Sequence, residues 1–382
     1  MAEIFKLGRE AVEQLAAAYG TPLLVVSREQ TRENYRTLQN ALRDVKIYYA
    51  LKSNPDHNIV HTLADEGAFF DVASDGEMLM LSKLGISPHR LVYANPVKTE
   101  AGLATARKLG VNHFTFDSET EISKMAQGVP GGKVLLRIRI DDTHALVDLN
   151  KKFGADTLDA IRLLQSARDK GLDTVGLCFH VGSQTTEVTP YLEAIKVCSK
   201  VFAEAAAAGF DLHILDIGGG FPIPTKDYEP DIDAMAREIR RALDVYFPDT
   251  EIWSEPGRGI CGTVSNLITK VIGKTERDGK QWYFLDEGIY GTFSGVIFDH
   301  WEYDLEPFKQ SDQKVLATFA GPSCDSLDVI IREKETPELE IGDLILVSAC
   351  GAYTSASATT FNGFPLTKAV VWEEVRDQIT LK

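Results

Sequence analysis

A (β/α)8 barrel followed by a mostly β domain is the fold this chain predicts, and three observations predict it. Apolar, β-prone runs alternate with helix-like stretches between residues 47 and 254. Glycines close several of the helix-like stretches, at Gly67, Gly85, Gly110, Gly171 and Gly209, as helix C-caps do. After about residue 262 the alternation stops, and strand-like runs follow one another with turns between them. Eight strands that alternate with helices close into a parallel barrel.

The elements follow in order. Residues 9–19 form a short helix with Val12, Leu15 and Ala16 on one face, and Tyr19-Gly20-Thr21-Pro22 ends it. Leu23-Leu24-Val25-Val26 is a strand, and Ser27 is placed to cap a helix that starts near Glu29. The barrel strands are expected at 47–51, 69–73, 91–94, 113–116, 134–139, 175–179, 213–217 and 251–254. Helices are expected at 56–66, 75–84, 100–109, 118–127, 155–170, 190–208 and 231–246. Later strands are expected at 264–272, 281–285, 314–319 and 343–349, with Arg277-Asp278-Gly279-Lys280 as one of the turns. The domains expected are 22–262 for the barrel and 263–382 for the β domain, with residues 1–21 packing on the latter. No long linker separates them, so they should share an interface.

The 382 residues are enough for a large core. Hydrophobic residues make up 44% and charged residues 25%, which is ordinary for a globular protein. A net charge of -16 argues against nucleic acid and anionic membranes as main partners, and it would draw in a cationic substrate. The cysteines, Cys178, Cys198, Cys261, Cys324 and Cys350, are odd in number and widely spaced, which fits a reducing cytoplasm and no structural zinc. Met1-Ala2-Glu3-Ile4-Phe5-Lys6 has no apolar leader stretch, and no run of apolar residues is long enough to span a membrane.

In such a barrel the active site lies at the C-terminal strand ends, and the unusual residues of the chain fall there. Lys52 follows the first strand, inside Tyr49-Ala50-Leu51-Lys52-Ser53-Asn54-Pro55-Asp56. Partial desolvation would lower its protonation and make it a usable amine, as a Schiff-base lysine needs. The plain alternative is a lysine that snorkels from the barrel mouth or pairs with Asp71 or Glu77. Asp71 and Glu77 follow the second strand, Arg137 lies in the fifth, and His180 ends the sixth. Gly218-Gly219-Gly220 ends the seventh strand and admits close approach of a phosphate, although a tight turn before Phe221-Pro222 would use glycines too. Arg258, after the eighth strand, adds a fork-shaped phosphate donor. Glu255 could pair with Arg258, or it could hydrogen-bond a protonated pyridine nitrogen. Lysine, phosphate site and carboxylate at three strand ends are the parts that pyridoxal 5'-phosphate asks for. His180 could then stack on the pyridine, or be a core histidine.

Taken together, these motifs resemble the fold-type III, alanine-racemase-like pyridoxal-phosphate decarboxylases, in particular the ornithine decarboxylase group with its lysine, arginine and diaminopimelate relatives. The resemblance runs through Tyr49-Ala50-Leu51-Lys52-Ser53-Asn54, Phe70-Asp71-Val72-Ala73-Ser74, His180-Val181-Gly182-Ser183, Asp216-Ile217-Gly218-Gly219-Gly220-Phe221-Pro222 and Glu255-Pro256-Gly257-Arg258. It continues through Phe298-Asp299-His300, Gly321-Pro322-Ser323-Cys324-Asp325, Gly351-Ala352-Tyr353-Thr354 and Thr360-Phe361-Asn362-Gly363-Phe364. The resemblance implies that Lys52 is the Schiff-base lysine, Glu255 holds the pyridinium and His180 stacks on the ring. Ser183, Gly218, Gly219, Gly220, Arg258 and Tyr353 would hold the phosphate, with Asp71, Glu77 and Arg137 as a polar network. Cys324 would protonate the α-carbon, and Asp299 and Asp325 would receive the distal ammonium. Cys324 and Asp325 would come from the partner subunit of a homodimer with shared sites. The plain alternative for Cys324 is an inert core cysteine.

Three departures shape the expectation. Phe298 stands where the family often has tyrosine, which removes a hydroxyl at the substrate end. The long tail of animal ornithine decarboxylases is not seen, so tail-directed degradation is not expected. Cys324-Asp325-Ser326 with Asp299 does not match the diaminopimelate pattern, which disfavours a dicarboxylic substrate. The expected reaction is decarboxylation of L-ornithine to putrescine, with L-lysine to cadaverine beside it, because one methylene is worth only about 1–3 kcal/mol of discrimination. Arginine comes third. Racemases of this fold tend to put an arginine at the pyridine nitrogen, which Glu255 opposes, and a catalytically dead regulatory homologue should have lost Lys52, Glu255, Arg258 or Cys324.

Overall fold

The computed structural model describes residues 4–140, 152–309 and 313–379. The first three residues, the start of the terminus discussed above, lie outside this set, as do 380–382 of the expected β domain.

The first strand, β1 (Leu23–Val26), does not enter the barrel. Eight strands then close a parallel barrel: β2 (Val45–Ala50), β3 (Phe69–Val72), β4 (Leu91–Tyr93), β5 (His113–Phe116), β6 (Lys133–Arg137), β7 (Asp173–Cys178), β8 (Ile214–Asp216) and β9 (Glu251–Ser254). Each expected barrel strand is there. Their near-continuous apolar runs are what a parallel sheet buried on both faces requires. Helices return the chain between strands, and short polar side chains start them. Asp56 accepts from Asn58 N at 2.8 Å to begin His57–Asp65, and Thr99 accepts from Gly102 N at 3.0 Å to begin Glu100–Leu109. Such caps contribute about 0.5–2 kcal/mol each.

Two cores form the barrel unit. One lies between strands and helices, with Tyr49, Phe70, Phe114, Leu136 and Leu215 facing outward from the strands. The other fills the barrel interior with Tyr48, Val92, Leu135, Val175, Ile214 and Trp253. Tyr48 and Trp253 pack at 4.6 Å between ring centroids. Truncating Trp253 to alanine would cost about 3–5 kcal/mol.

The second sheet contains β10 (Ser265–Arg277), β11 (Lys280–Leu285), β12 (Leu305–Pro307), β13 (Lys314–Ala320), β14 (Val329–Pro337), β15 (Leu344–Val347) and β16 (Lys368–Val371). Its order is β12-β15-β10-β11-β13-β14, and β1 joins it between β10 and β16. Leu23–Val26 falls within the expected barrel span of 22–262, but pairs Leu23 with Ile268 and Lys368. The reason is visible in its burial: all of its residues are covered, with Leu24 in the core of the second sheet and Leu23 and Val25 in the core beneath helix Arg9–Tyr19. We therefore propose a second domain that includes β1 and the helices Arg9–Tyr19 and Trp372–Ile379.

Candidate active site

Strand alternation builds the site. Two residues beyond the interior-facing Ile214, Leu135 and Trp253 come Asp216, Arg137 and Glu255. Asp71 follows Phe69, and Thr115 follows His113, in the same way. Side chains two apart share a face, so the apolar interior gives way to a polar ring at the C-terminal mouth. Lys52, in the short 3-10 turn Leu51–Ser53 after β2, joins that ring.

The Lys52 side chain is 43% exposed and pairs with Asp71, which lies buried beneath it. Desolvation opposes the ammonium, but the carboxylates of Asp71 and Glu255 outweigh it and hold the amine above the ordinary lysine range. The expected loss of protonation is thereby corrected: the protein's own carboxylates keep Lys52 charged. Glu77 does not meet the lysine directly. Its Oε2 accepts from Ala73 N at 2.5 Å while Ser74 Oγ accepts from Glu77 N at 3.3 Å, a reciprocal cap that fixes the loop behind Asp71. Burial pushes the Glu77 carboxyl up.

Glu255 faces Asp216, not Arg258. Both carboxyls are pushed up, first by burial and then by neighbouring negative charge, and Glu255 is raised further. Asp216 Oδ1 accepts from Gly218 N at 2.8 Å. His180 Nδ1 accepts from Gly182 N at 2.9 Å, so the neutral ring carries its proton on Nε2. Burial, then Arg137 and Lys52, holds the imidazole well below its usual range and therefore neutral.

The glycine run packs so closely on neighbouring strand-end backbone that only glycine fits. A Cβ on Gly218 would lie 2.3 Å from Phe179 O, one on Gly219 2.4 Å from Glu255 O, and one on Gly220 2.6 Å from Gly182 O. Gly218 and Gly220 also have φ of +68° and +114°, where side chains are strained. Arg258 lies beside it, 4% exposed, with Nε 3.4 Å from Ser183 Oγ. Its guanidinium forms an ion pair with Asp299 and lies 5.2 Å from the Tyr353 ring. Among the described residues Arg137 Nε and Nη2 find no hydrogen-bond partner, and the guanidinium stands 5.3 Å from the Phe153 ring. A lysine, a carboxyl pair, a close-approach cradle and orphaned arginine donors fit an anionic aromatic aldehyde such as pyridoxal 5'-phosphate.

Other expected residues stand elsewhere. Cys324 is exposed, and its N–H donates to Asn362 Oδ1 at 3.0 Å. Asp325 accepts from the Tyr290 hydroxyl, and Tyr290 stacks on Phe361 at 4.2 Å. No described contact of these residues reaches Lys52. Phe298 is 63% exposed. Asp299 is buried against Arg258, so its carboxylate already has a cation.

Two residues went unassigned in the sequence. Asp216 shares the inward parity of Ile214, which is the signal that could have found it. Lys98 is buried after β4 and donates to Thr115 O at 2.6 Å and Asn95 O at 3.0 Å, with Glu121 at 3.1 Å. Asn95 Nδ2 in turn donates to Ala73 O at 3.3 Å. Lys98 thus braces the loop that follows β3, just beyond Asp71. Its burial gave no local sequence signal.

Comparison with known proteins agrees with this geometry. Residues 28–262 match the family model described as pyridoxal-dependent decarboxylase, pyridoxal binding domain. A lysine/ornithine decarboxylase of Selenomonas ruminantium is 48% identical over 371 residues, 97% of this chain and 94% of that protein. A crystal structure of the lysine decarboxylase from the same organism superposes with a TM-score of 0.95 at 47% identity, covering 99% of both chains. A lysine/ornithine decarboxylase from Vibrio vulnificus, complexed with putrescine, gives 0.90 at 36% identity, covering 96% of this chain and 99% of that one.

Proposed function

Because this chain belongs to the pyridoxal-dependent decarboxylases, we propose that it removes the α-carboxyl group of L-ornithine and L-lysine, giving putrescine and cadaverine. The polar ring at the barrel mouth carries the reading: Lys52, Asp71, Arg137, Asp216 and Glu255 stand beside the close-packed glycine run Gly218–Gly220 and the buried Arg258. When bound, the cofactor supplies an electron sink for the pair left behind as carbon dioxide departs.

Each residue then has a role. With the cofactor bound, Lys52 would hold it and Asp71 would take the proton its amine must lose. Glu255 would serve the ring nitrogen, and neutral His180 would offer a flat ring that adds no charge. Gly218, Gly219, Gly220, Ser183, Arg258 and Tyr353 hold the phosphate, which a guanidinium with five donors can do while keeping Asp299. Arg137 and Glu77 support the ring and the Asp71 loop.

The substrate end requires a second copy of the chain. Cys324 is exposed, and its loop makes no described contact with the Lys52 cluster. Phe298, Leu327, Phe361 and Phe364 are exposed as well. A homodimer brings the partner's Cys324 and Asp325 to each Lys52. The thiol then protonates the α-carbon, while Asp325 and Asp299 receive the terminal ammonium. No helix among the described residues is long and apolar enough to cross a membrane, and free thiols suit a reducing cytoplasm.

Steady-state kinetics on L-ornithine, L-lysine and L-arginine side by side test the reading. Carbon dioxide release with ornithine and lysine is expected, with arginine slower. Turnover confined to arginine, or racemisation without carbon dioxide, would refute it.

A further inference from the structure

Asp216 Oδ2 is buried in a carboxylate 1% exposed, and among the described residues it finds no N–H or O–H donor. Its other oxygen is fixed by Gly218 N at 2.8 Å. The Glu255 carboxyl is its neighbour: Asp216 is in register with Trp253 on the adjacent strand, and Glu255 two residues on shares that inward face, its backbone N 2.8 Å from Gly218 O. Two ionised carboxylates cannot lie together in a buried site without a proton between them. The surroundings supply little relief. Asp71 adds negative charge from β3, and Tyr48 and Cys178 face the pair as neutral groups from β2 and β7. Among the described residues Lys52 is the cation that offsets Glu255, and it is already paired with Asp71, while Arg137 on β6 stands beyond Cys178 and acts on it and on His180.

We propose that Asp216 is a positioning residue that stores one proton on the Glu255 carboxyl and so makes Glu255 the proton source for the ring nitrogen of the cofactor. The proposal rests on the functional reading above. In the transfer, the proton leaves Glu255 Oε and bonds to the ring nitrogen. Glu255 becomes a carboxylate, and no other species is consumed. Asp216 then stands behind Glu255 as a second negative charge and keeps the nitrogen protonated. The glycine run contributes geometry: Gly218 N orients Asp216, and Gly218 O accepts from Glu255 N at 2.8 Å and from Ser254 Oγ at 2.8 Å, which locks the two strand ends together.

Two measurements on the full chain test this. First, the infrared carboxylic-acid C=O band is recorded at pH 7 on protein freed of cofactor, as difference spectra between wild type and D216N or E255Q. A band present in wild type and lost in both variants is expected, because either amide can donate to the remaining carboxylate. An undiminished band in the variants, or no band in wild type, overturns the proposal; if D216N fails to fold, E255Q decides. Second, proton uptake on adding pyridoxal 5'-phosphate is measured in weakly buffered solution. D216N is expected to take up one proton more per site than wild type, because its Glu255 has none to give. Equal uptake overturns the proposal. If no visible absorbance develops on adding the cofactor, the functional reading fails with the transfer, whereas normal absorbance with equal uptake sinks only the proposal.

Discussion

Replacing Gly219 with alanine should disable the site by moving Glu255 alone. Gly219, unlike its two neighbours, has no positive φ, so the substitution tests space and not backbone strain. The added Cβ would lie 2.4 Å from Glu255 O and 3.3 Å from His180 Nε2. Ordinary contact begins at 3.4 Å, so the Glu255 backbone must retreat by the difference, 3.4 − 2.4, or 1.0 Å. The obstacle is backbone held by Glu255 N on Gly218 O at 2.8 Å, and no flexible side chain can relieve it. Overpacking of this kind costs about 1–3 kcal/mol of stability, and a misplacement near 1 Å costs about 100-fold in rate. The assay is carbon dioxide release with the visible absorbance of the cofactor, beside thermal unfolding. A matched control is G76A, where the new Cβ meets only Ser74 Oγ at 3.6 Å within a helix; it should gain about 0.5–1 kcal/mol. If G219A keeps wild-type kcat and melting temperature, the cradle is not tight and the placement of Glu255 by it is wrong.

Further outcomes follow from the same geometry. Lys52→Ala should abolish the visible absorbance of the bound cofactor and nearly all turnover; retention of both would remove Lys52 from its role. Cys324→Ala should spare cofactor absorbance yet slow product formation and send the proton to the wrong carbon, and a clean diamine at the normal rate would refute this. Mixing K52A with C324A, with subunit exchange shown independently, should recover about a quarter of wild-type sites, because half the dimers are mixed and each has one good site; no recovery at any ratio refutes the shared site. For Lys98, burial lowers the amine to about 8 even though Glu121 pulls it up. Between that value and the ordinary 10.5 the unfolded chain binds the proton and the folded chain does not, so stability should rise with pH across this window. Denaturant unfolding of wild type against K98M should show the difference growing from pH 8 to 10, and a flat difference refutes the assignment.

Burial decided what the sequence could reveal. The barrel strands were legible because a parallel sheet covered on both faces needs continuous apolar runs, as in Val134-Leu135-Leu136. β14 was missed because Arg332-Glu333-Lys334-Glu335 occupies its middle, and those residues face largely outward. β16 was missed because it pairs only with β1 and is mostly exposed, so Lys368-Ala369-Val370-Val371 has no strong pattern. In the site, Lys52, the glycine run and Glu255 stood out because each is unusual at a strand end. Asp216 did not, since an aspartate before glycines is also an ordinary turn former. The charge of Lys52 was misjudged for a related reason: a local run shows desolvation, but Asp71 and Glu255 come from other strands. The Arg258–Asp299 pair joins residues of two domains, and no local pattern announces it.

Those cross-domain contacts explain why the barrel mouth needs the second domain even in one chain. The Lys52 turn is not held by the barrel alone. Tyr353 N donates to Ser53 O at 2.8 Å, and Asn54 Nδ2 donates to Gly351 O at 2.7 Å. From below, Ser53 Oγ donates to Ala50 O at 2.7 Å and receives Cys261 Sγ at 3.3 Å. Gly351 permits this closeness, since a Cβ there would fall 1.7 Å from Cys261 O. Each bond contributes only about 1 kcal/mol net, yet together they fix the turn on both sides. The lysine tip is the part left accessible, 43% exposed and paired with Asp71 on a braced base. The Schiff-base role proposed for Lys52 asks for that combination, and the second domain supplies half of it.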